Sequence, residues 1–240
     1  MTTATTAAPM TRADMLTLVL LVAAQVVLFL IPLIVLGRAI GWPASLRLPA
    51  GEALPLIARH ATAVQIGYWG YLLTATAMVP LALALRRFAR THGVHGGLPD
   101  LMAAMGVAAA VLKTLGIVRW LIAMPSLALL HAGSSDPIIR AVVEVNYVVL
   151  NGYAGAVGEL LGVQLFSGIW LMLVGTMLLR ANLRLNGIAG LAIGAAFATT
   201  ALRTLVPAFE ILSTIVPPLA LGWFVVLAVT LGRLATLRKA

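Results

Sequence analysis

The sequence predicts an all-α integral membrane protein, a six-helix transmembrane bundle with both termini cytoplasmic, and two observations carry that prediction. Of 240 residues, 62% are hydrophobic and 10% charged, with a mean hydropathy of +1.06. A soluble domain of this length cannot hide that much apolar surface in one core, so the solvent is lipid. The apolar residues also gather into six runs, each reaching the ~20 residues needed to cross a bilayer. The predicted organisation is a flexible Thr/Ala-rich tail over 1–14, a single six-helix domain over 15–237 and a short tail over 238–240.

The runs fall at Met15–Leu36, Ala61–Leu85, Leu101–Leu130, Gly155–Leu179, Leu185–Leu205 and Ile211–Leu231. The first is bounded by Arg12 and Arg38. It is too long for a signal-peptide core and has no small-residue cleavage site after it, so it reads as a retained span. In the loop Arg38–His60, Pro43, Pro49 and Pro55 interrupt regular structure while Trp42, Leu46, Leu48, Leu54 and Ile57 keep it apolar. Two readings stand for it: a loop dipping into the headgroups, or a lid resting on the membrane face. The stretch Pro137–Arg180 would run ~65 Å as one unbroken helix, too long for one simple span. Asn151-Gly152 is the predicted break. Before it, Ile138, Ile139, Val142, Val143 and Val145 alternate with Arg140, Glu144 and Asn146, the pattern of a short amphipathic outer helix preceding span four.

Orientation follows from lysine and arginine. With the N-terminus inside, the inner segments hold nine: Arg12, Arg86, Arg87, Arg90, Arg180, Arg184, Arg233, Arg238 and Lys239. The outer segments hold four, Arg38, Arg47, Arg59 and Arg140, with Arg203 near a helix end. That excess favours cytoplasmic termini. Trp42, Tyr68, Trp69, Tyr71, Tyr147 and Tyr153 all fall near the predicted outer interface, as an aromatic belt requires. The net charge of +9 is spread between spans rather than along one stripe, which points to anionic membrane lipids as partners and away from nucleic acid. The absence of cysteine excludes disulfides and thiol chemistry.

Three charges sit where a lipid-facing helix avoids them: Lys113 and Arg119 in the third run and Glu159 in the fourth. An ionised group in mid-bilayer costs several kcal/mol unless it meets a partner, water or protein interior. At 1.5 Å per residue, Lys113 lies ~18 Å from the inner end of its span and Arg119 ~27 Å; Glu159 lies ~30 Å and Arg203 ~27 Å from the inner ends of theirs. Arg119 and Glu159 are therefore level, in the predicted outer leaflet. Gly155, Glu159 and Gly162 share one helical stripe, Gly158 and Gly162 form a small-xxx-small pair, and Gly116 and Ala123 flank Arg119. The expectation is a buried Arg119–Glu159 ion pair between close-packed helices, with Arg203 or Gln164 nearby. Pro125, lacking an N–H, frees the carbonyl of Leu121 and predicts a kink just above the pair. The plainer alternative is that Arg119 snorkels to a phosphate, or that the pair only fixes helix register. Lys113 stands about 120° round the helix from Arg119. Gln25, at mid-depth in the first run, is one neighbour open to it; deprotonation or snorkelling inward are the alternatives.

Several chemistries find no support. His60, His92, His95 and His131 fall in predicted loops, which argues against haem held between spans, and His92-x-x-His95 with Asp100 reads as solvated rather than as a metal site. No H-E-x-x-H, G-x-S-x-G or P-loop pattern occurs, and Ser126, Ser167 and Ser213 lack a spaced base. No cofactor is implied. The first three runs do not resemble the last three in charge or glycine placement, so the internal repeat of many transporters is not visible.

The stretch Leu115-Gly-Ile-Val-Arg-Trp-Leu-Ile-Ala-Met-Pro-Ser-Leu-Ala128, followed by Gly152-Tyr-Ala-Gly-Ala-Val-Gly-Glu-Leu-Leu-Gly162 and Trp170, resembles a bacterial multi-pass membrane family known as domain-of-unknown-function group forty-three eighty-six. The resemblance covers most of the chain. It implies a six-helix fold in a bacterial inner membrane and supplies no activity. It also draws attention to Arg119, Trp120, Pro125 and Glu159.

Two function classes follow. In the first, the outer-leaflet cluster binds or transports a small amphipathic or anionic molecule, with Arg119, Arg203, Lys113, Glu159 and Gln164 as polar groups and Tyr68, Trp69 and Trp120 as apolar walls. In the second, the chain is a structural or regulatory membrane subunit whose charges, with Gly116, Pro125, Gly155, Gly158 and Gly162, fix helix packing or hold another copy. An intramembrane enzyme is the least supported reading.

Overall fold

A computed structural model describes residues 9–237. The start of the predicted 1–14 tail and the whole 238–240 tail, with Arg238 and Lys239, lie outside the described residues. The structure is 90% helical and has no strand among the described residues. Its helices are α1 (Arg12–Ile40), α2 (Ala50–Arg59), α3 (Ala61–Thr91), α4 (Leu98–Leu121), α5 (Ala123–Gly133), α6 (Pro137–Gly155), α7 (Ser167–Arg180), α8 (Arg184–Thr200) and α9 (Leu212–Leu237). A π-helical stretch, Ala156–Phe166, joins α6 to α7. Among the described residues, six helical segments are long and apolar enough to cross a membrane: Arg12–Ile40, Ala61–Thr91, Leu98–Gly133, Pro137–Arg180, Arg184–Thr204 and Pro207–Leu237. Each contains one of the six predicted runs, except that the fifth run reaches one residue beyond Thr204.

Two local expectations give way. Helical structure passes straight through Asn151-Gly152. The departure from α geometry comes later, over Ala156–Phe166, where i→i+5 bonding widens the helix instead of ending it. The loop after α1 is not irregular throughout either, because Ala50, Ala53, Leu54 and Ile57 recur at helical spacing and are buried as one face of α2. Pro49 stands at the N-cap of α2, where a missing N–H costs nothing, and burial of that face outweighs Pro55 inside the helix.

The chain divides into two compact units, each assembled from separated segments. One comprises 9–26, Ala77–Ala109 and 163–237; the other comprises Val27–Thr76 and Ala110–Gly162. The first unit is held by glycine-to-backbone contact. A Cβ on Gly168 would stand 2.8 Å from the Gly194 carbonyl oxygen, and one on Gly175 would stand 2.7 Å from that of Gly187. These pairs, each seven residues apart on its helix, let α7 and α8 touch backbone to backbone, the close approach that small residues permit between spans. Trp223 Nε1 donates to the Asn186 carbonyl at 2.9 Å and Asn186 Nδ2 to Thr230 Oγ1 at 2.9 Å, fastening α9 to α8. At the membrane-end turns of this unit, Asp100 accepts from Arg86 at 2.6 Å and Arg90 at 2.8 Å, and Asp14 accepts from Arg87 at 2.6 Å.

The second unit has its own core. Leu36 and Ile40 of α1, Ala53, Leu54 and Ile57 of α2, Val64 and Tyr68 of α3, Ile117 and Trp120 of α4, Met124 of α5 and Val143 and Tyr147 of α6 pack into one cluster. Trp42, Leu46 and Leu48 lie against it, so the segment between α1 and α3 covers this core. Phe29, Trp42 and Tyr71 meet edge to face, with centroids 5.8–6.1 Å apart.

Candidate functional site: a buried arginine in the second unit

Residues on α4 and on the α6–π segment run past each other along a ladder of glycines. A Cβ on Gly158 would lie 2.8 Å from Gly116 Cα, and one on Gly162 would lie 2.7 Å from the Lys113 backbone nitrogen. At the other end of the ladder, a Cβ on Gly155 would lie 3.3 Å from Arg119 Nη2. Three glycines thus open a groove in which α4 lays its backbone, the stem of Lys113 and the guanidinium of Arg119. Lys113 and Arg119 are separated along α4 by about 9 Å. Lys113 has its stem against Gly162, and among the described residues no carboxylate faces its ammonium.

Arg119 is 8% exposed and is held at several points. Its Nη1 donates to the Gly116 carbonyl at 2.6 Å and its Nε to Asn151 Oδ1 at 3.3 Å. Its Nη2 lies 4.0 Å from Glu159 Oε1, within ion-pair range and beyond a hydrogen bond. Its Cζ lies 5.6 Å from the centroid of the Trp120 ring, close enough for attraction to the ring quadrupole. Trp120 in turn stacks on Tyr68, with centroids 4.7 Å apart and planes 5° from parallel. Tyr68, Tyr71 and Tyr147 all fall within electrostatic range of the guanidinium. Glu159 is the open edge of this arrangement, its side chain 39% exposed where that of Arg119 is 7%.

Asn151 links this centre to the segment over the core. Its Nδ2 donates to the Leu46 carbonyl at 3.3 Å while its Oδ1 accepts from Arg119, so one side chain ties the 3₁₀ turn Ala44–Arg47 to the cation. Pro125 acts through another unexpected residue. Because it has no N–H, the Leu121 carbonyl lacks its helical donor, α4 ends at Leu121 and α5 begins at Ala123. Gln65 Nε2 takes that carbonyl at 3.0 Å. The same break means that Ala123, which a continuous helix would put beside Arg119, belongs to α5 instead.

Of the expected site residues, Arg119, Glu159, Tyr68, Trp120, Lys113, Gly116, Gly155, Gly158 and Gly162 all lie in the second unit. Trp69 does too, but is 54% exposed. Arg203 and Gln164 belong to the first unit. There Arg203 Nε lies 3.3 Å from Glu210 Oε2, and Gln164 is buried. Sequence reasoning missed Asn151, Gln65, Tyr71 and Tyr147 as site residues. Tyr71 was accessible, standing at i+3 from Tyr68 on the same helical face. Asn151 was masked by reading Asn-Gly as a break.

This combination of six apolar spanning helices with ionised side chains buried among them defines a multi-pass helical membrane protein. Residues 15–235 match the family model described as Domain of unknown function (DUF4386), and the chain belongs to that family. No match is found among curated proteins, and none among solved structures.

Proposed function

We infer that the protein binds a small amphipathic or anionic molecule at the Arg119 cluster of the second unit, from the lipid or from solution. The observation carrying this reading is the company Arg119 keeps. Tyr68 and Tyr147 are 1% and 2% exposed, lie within range of its charge, and bury hydroxyls that have no hydrogen-bond partner among the described residues. An unpaired buried polar group costs roughly 1–3 kcal/mol. A cluster serving only to lock helices gains nothing by leaving two such groups beside a guanidinium whose Nη2 is loosely held. A molecule with oxygen acceptors satisfies all three at once, its apolar part lying among the aromatic rings, and Glu159 marks the side from which it enters. The distribution of lysine and arginine supports cytoplasmic termini, and with them a cluster that faces outward; the family resemblance supports a bacterial inner membrane. The excess of basic residues on the cytoplasmic side supports anionic lipid headgroups as neighbours of the chain.

The second reading, a structural or regulatory subunit, is favoured by the backbone contact of Gly116 with Gly158, since such contacts hold helices together whether or not a ligand binds. Native mass spectrometry of the full chain released from non-ionic detergent separates the two. Wild type is expected to carry a bound molecule, lipid or other, that an Arg119→Gln variant with helical content intact has lost. Identical spectra from the two proteins would favour the structural subunit.

A further inference from the structure

Among the described residues, the buried side-chain nitrogen and oxygen atoms without a hydrogen-bond partner in the second unit are Trp42 Nε1, Ser45 Oγ, Tyr68 OH and Tyr147 OH. All of them can donate: an indole N–H does nothing else, and a hydroxyl donates once. No amide or carboxylate oxygen is among them. In the first unit the corresponding atoms are mixed, with the donors Gln25 Nε2 and Trp170 Nε1 matched by the acceptors Gln164 Oε1 and Asn186 Oδ1. Every atom left without a partner in the second unit is thus able to donate, the three hydroxyls being able to accept as well, and Tyr68 and Tyr147 lie within electrostatic range of a buried cation.

These donors are tied to one centre. Tyr68 and Tyr147 share a core with Trp120, and Trp42 and Leu46 pack on that core. Asn151 bonds both Arg119 and the Leu46 carbonyl, which brings the turn bearing Ser45 to the guanidinium. Trp42 reaches the same region through its edge contact with Tyr71, which lies within range of both Arg119 and Glu159.

Resting on the reading of Arg119 as a ligand anchor, we propose that the group it takes is a tetrahedral oxoanion of the phosphate type, gripped by Arg119, Tyr68 and Tyr147 and covered by Ser45 and Trp42 of the segment between α1 and α2. A carboxylate offers two oxygens on one plane. A phosphate monoester offers three non-bridging oxygens in three directions, which suits donors arriving from α3, α4, α6 and the covering turn. Glu159, its Oε1 4.0 Å from Nη2 and its side chain partly exposed, is the anion such a group displaces from Nη2. The phosphate belongs either to a lipid whose headgroup is a phosphate monoester or to a soluble phosphate.

The test titrates the full chain, in a phosphate-free maltoside detergent, with dodecyl phosphate, dodecanoate and inorganic phosphate, read by tryptophan fluorescence. Dodecyl phosphate is expected to bind at least about tenfold more tightly than dodecanoate. Tyr68→Phe and Tyr147→Phe should each weaken it by about tenfold, the order of one charge-assisted hydrogen bond. Both phenylalanine variants should melt no lower than wild type without ligand, since each removes a buried hydroxyl that bonds to nothing, and Glu159→Gln should bind more tightly. If inorganic phosphate competes, the natural group is a soluble phosphate; if only the alkyl phosphate binds, it is a lipid headgroup. Equal affinity for the two dodecyl compounds, or phenylalanine variants that bind like wild type, would overturn the proposal. Dodecanoate binding that depends on Arg119, with no binding of dodecyl phosphate, overturns the phosphate assignment alone. No binding of any probe overturns the anchor reading as well.

Discussion

Gly158→Leu is expected to leave almost no folded protein, and Gly158→Ala to lower the melting temperature by about 5 °C, corresponding to roughly 2 kcal/mol. Glycine in a helix interior ordinarily costs about 1 kcal/mol relative to alanine, so the same change at an open site stabilises. At Gly158 the sign reverses. The added Cβ would stand 2.8 Å from Gly116 Cα, and a backbone atom, unlike the tip of a side chain, cannot swing aside. The helices would have to separate, which pulls Arg119 from Gly155 and Lys113 from Gly162. Gly222 on α9 is the control: a Cβ there meets nothing within 4 Å, so Gly222→Ala should melt at or above the wild-type temperature. Differential scanning fluorimetry of the two alanine variants in detergent reads the contrast, and equal behaviour would mean that the backbone contact is not present in the folded protein.

Arg119→Leu is expected to cost about 3 kcal/mol, while Glu159→Gln costs roughly 1 kcal/mol or less. The asymmetry follows from burial and from the number of bonds each group makes. Arg119 is nearly enclosed and serves the Gly116 carbonyl, Asn151, Glu159 and the Trp120 face together. Its loss strands Asn151, and with it the tie to Leu46 on the covering turn. Glu159 keeps 39% of its side chain exposed, so the ion pair is partly screened and its own removal leaves a site that can rehydrate. Thermal unfolding of both variants checks the order. Equal losses would reduce Arg119 to its ion pair and remove the hub role given to it here.

Which parts of this arrangement could be read from the chain depends on what range of interaction fixed them. The spanning helices are dictated by local composition against a uniform solvent, so a hydropathy reading finds all of them. The Arg119–Glu159 meeting could be anticipated because each charge needs a partner and the two lie at one depth. The π-helical stretch could not be, since spacing arguments presume 3.6 residues per turn and nothing local in Ala156–Phe166 announces a wider winding. The helix α2 escaped because three prolines in the loop outweighed the i, i+3, i+4 recurrence of Ala50, Ala53, Leu54 and Ile57. Gln65 and Asn151 could not be placed because their roles are set by tertiary need. One satisfies a carbonyl that Pro125 strands, and the other joins two segments 105 residues apart. The α7–α8 contact was visible in principle, as Gly168/Gly175 and Gly187/Gly194 repeat at the same interval on adjacent spans.

The buried centre of the second unit depends on an interaction between the guanidinium of α4 and the carboxylate of the π-helical stretch. A double-mutant cycle measures that directly, from the unfolding free energies of wild type, Arg119→Gln, Glu159→Gln and the double variant in one detergent. A favourable coupling of roughly 1 kcal/mol is predicted, the low end for neighbouring charges because one partner is partly exposed. Losses that simply add, with no coupling between the two positions, would contradict it.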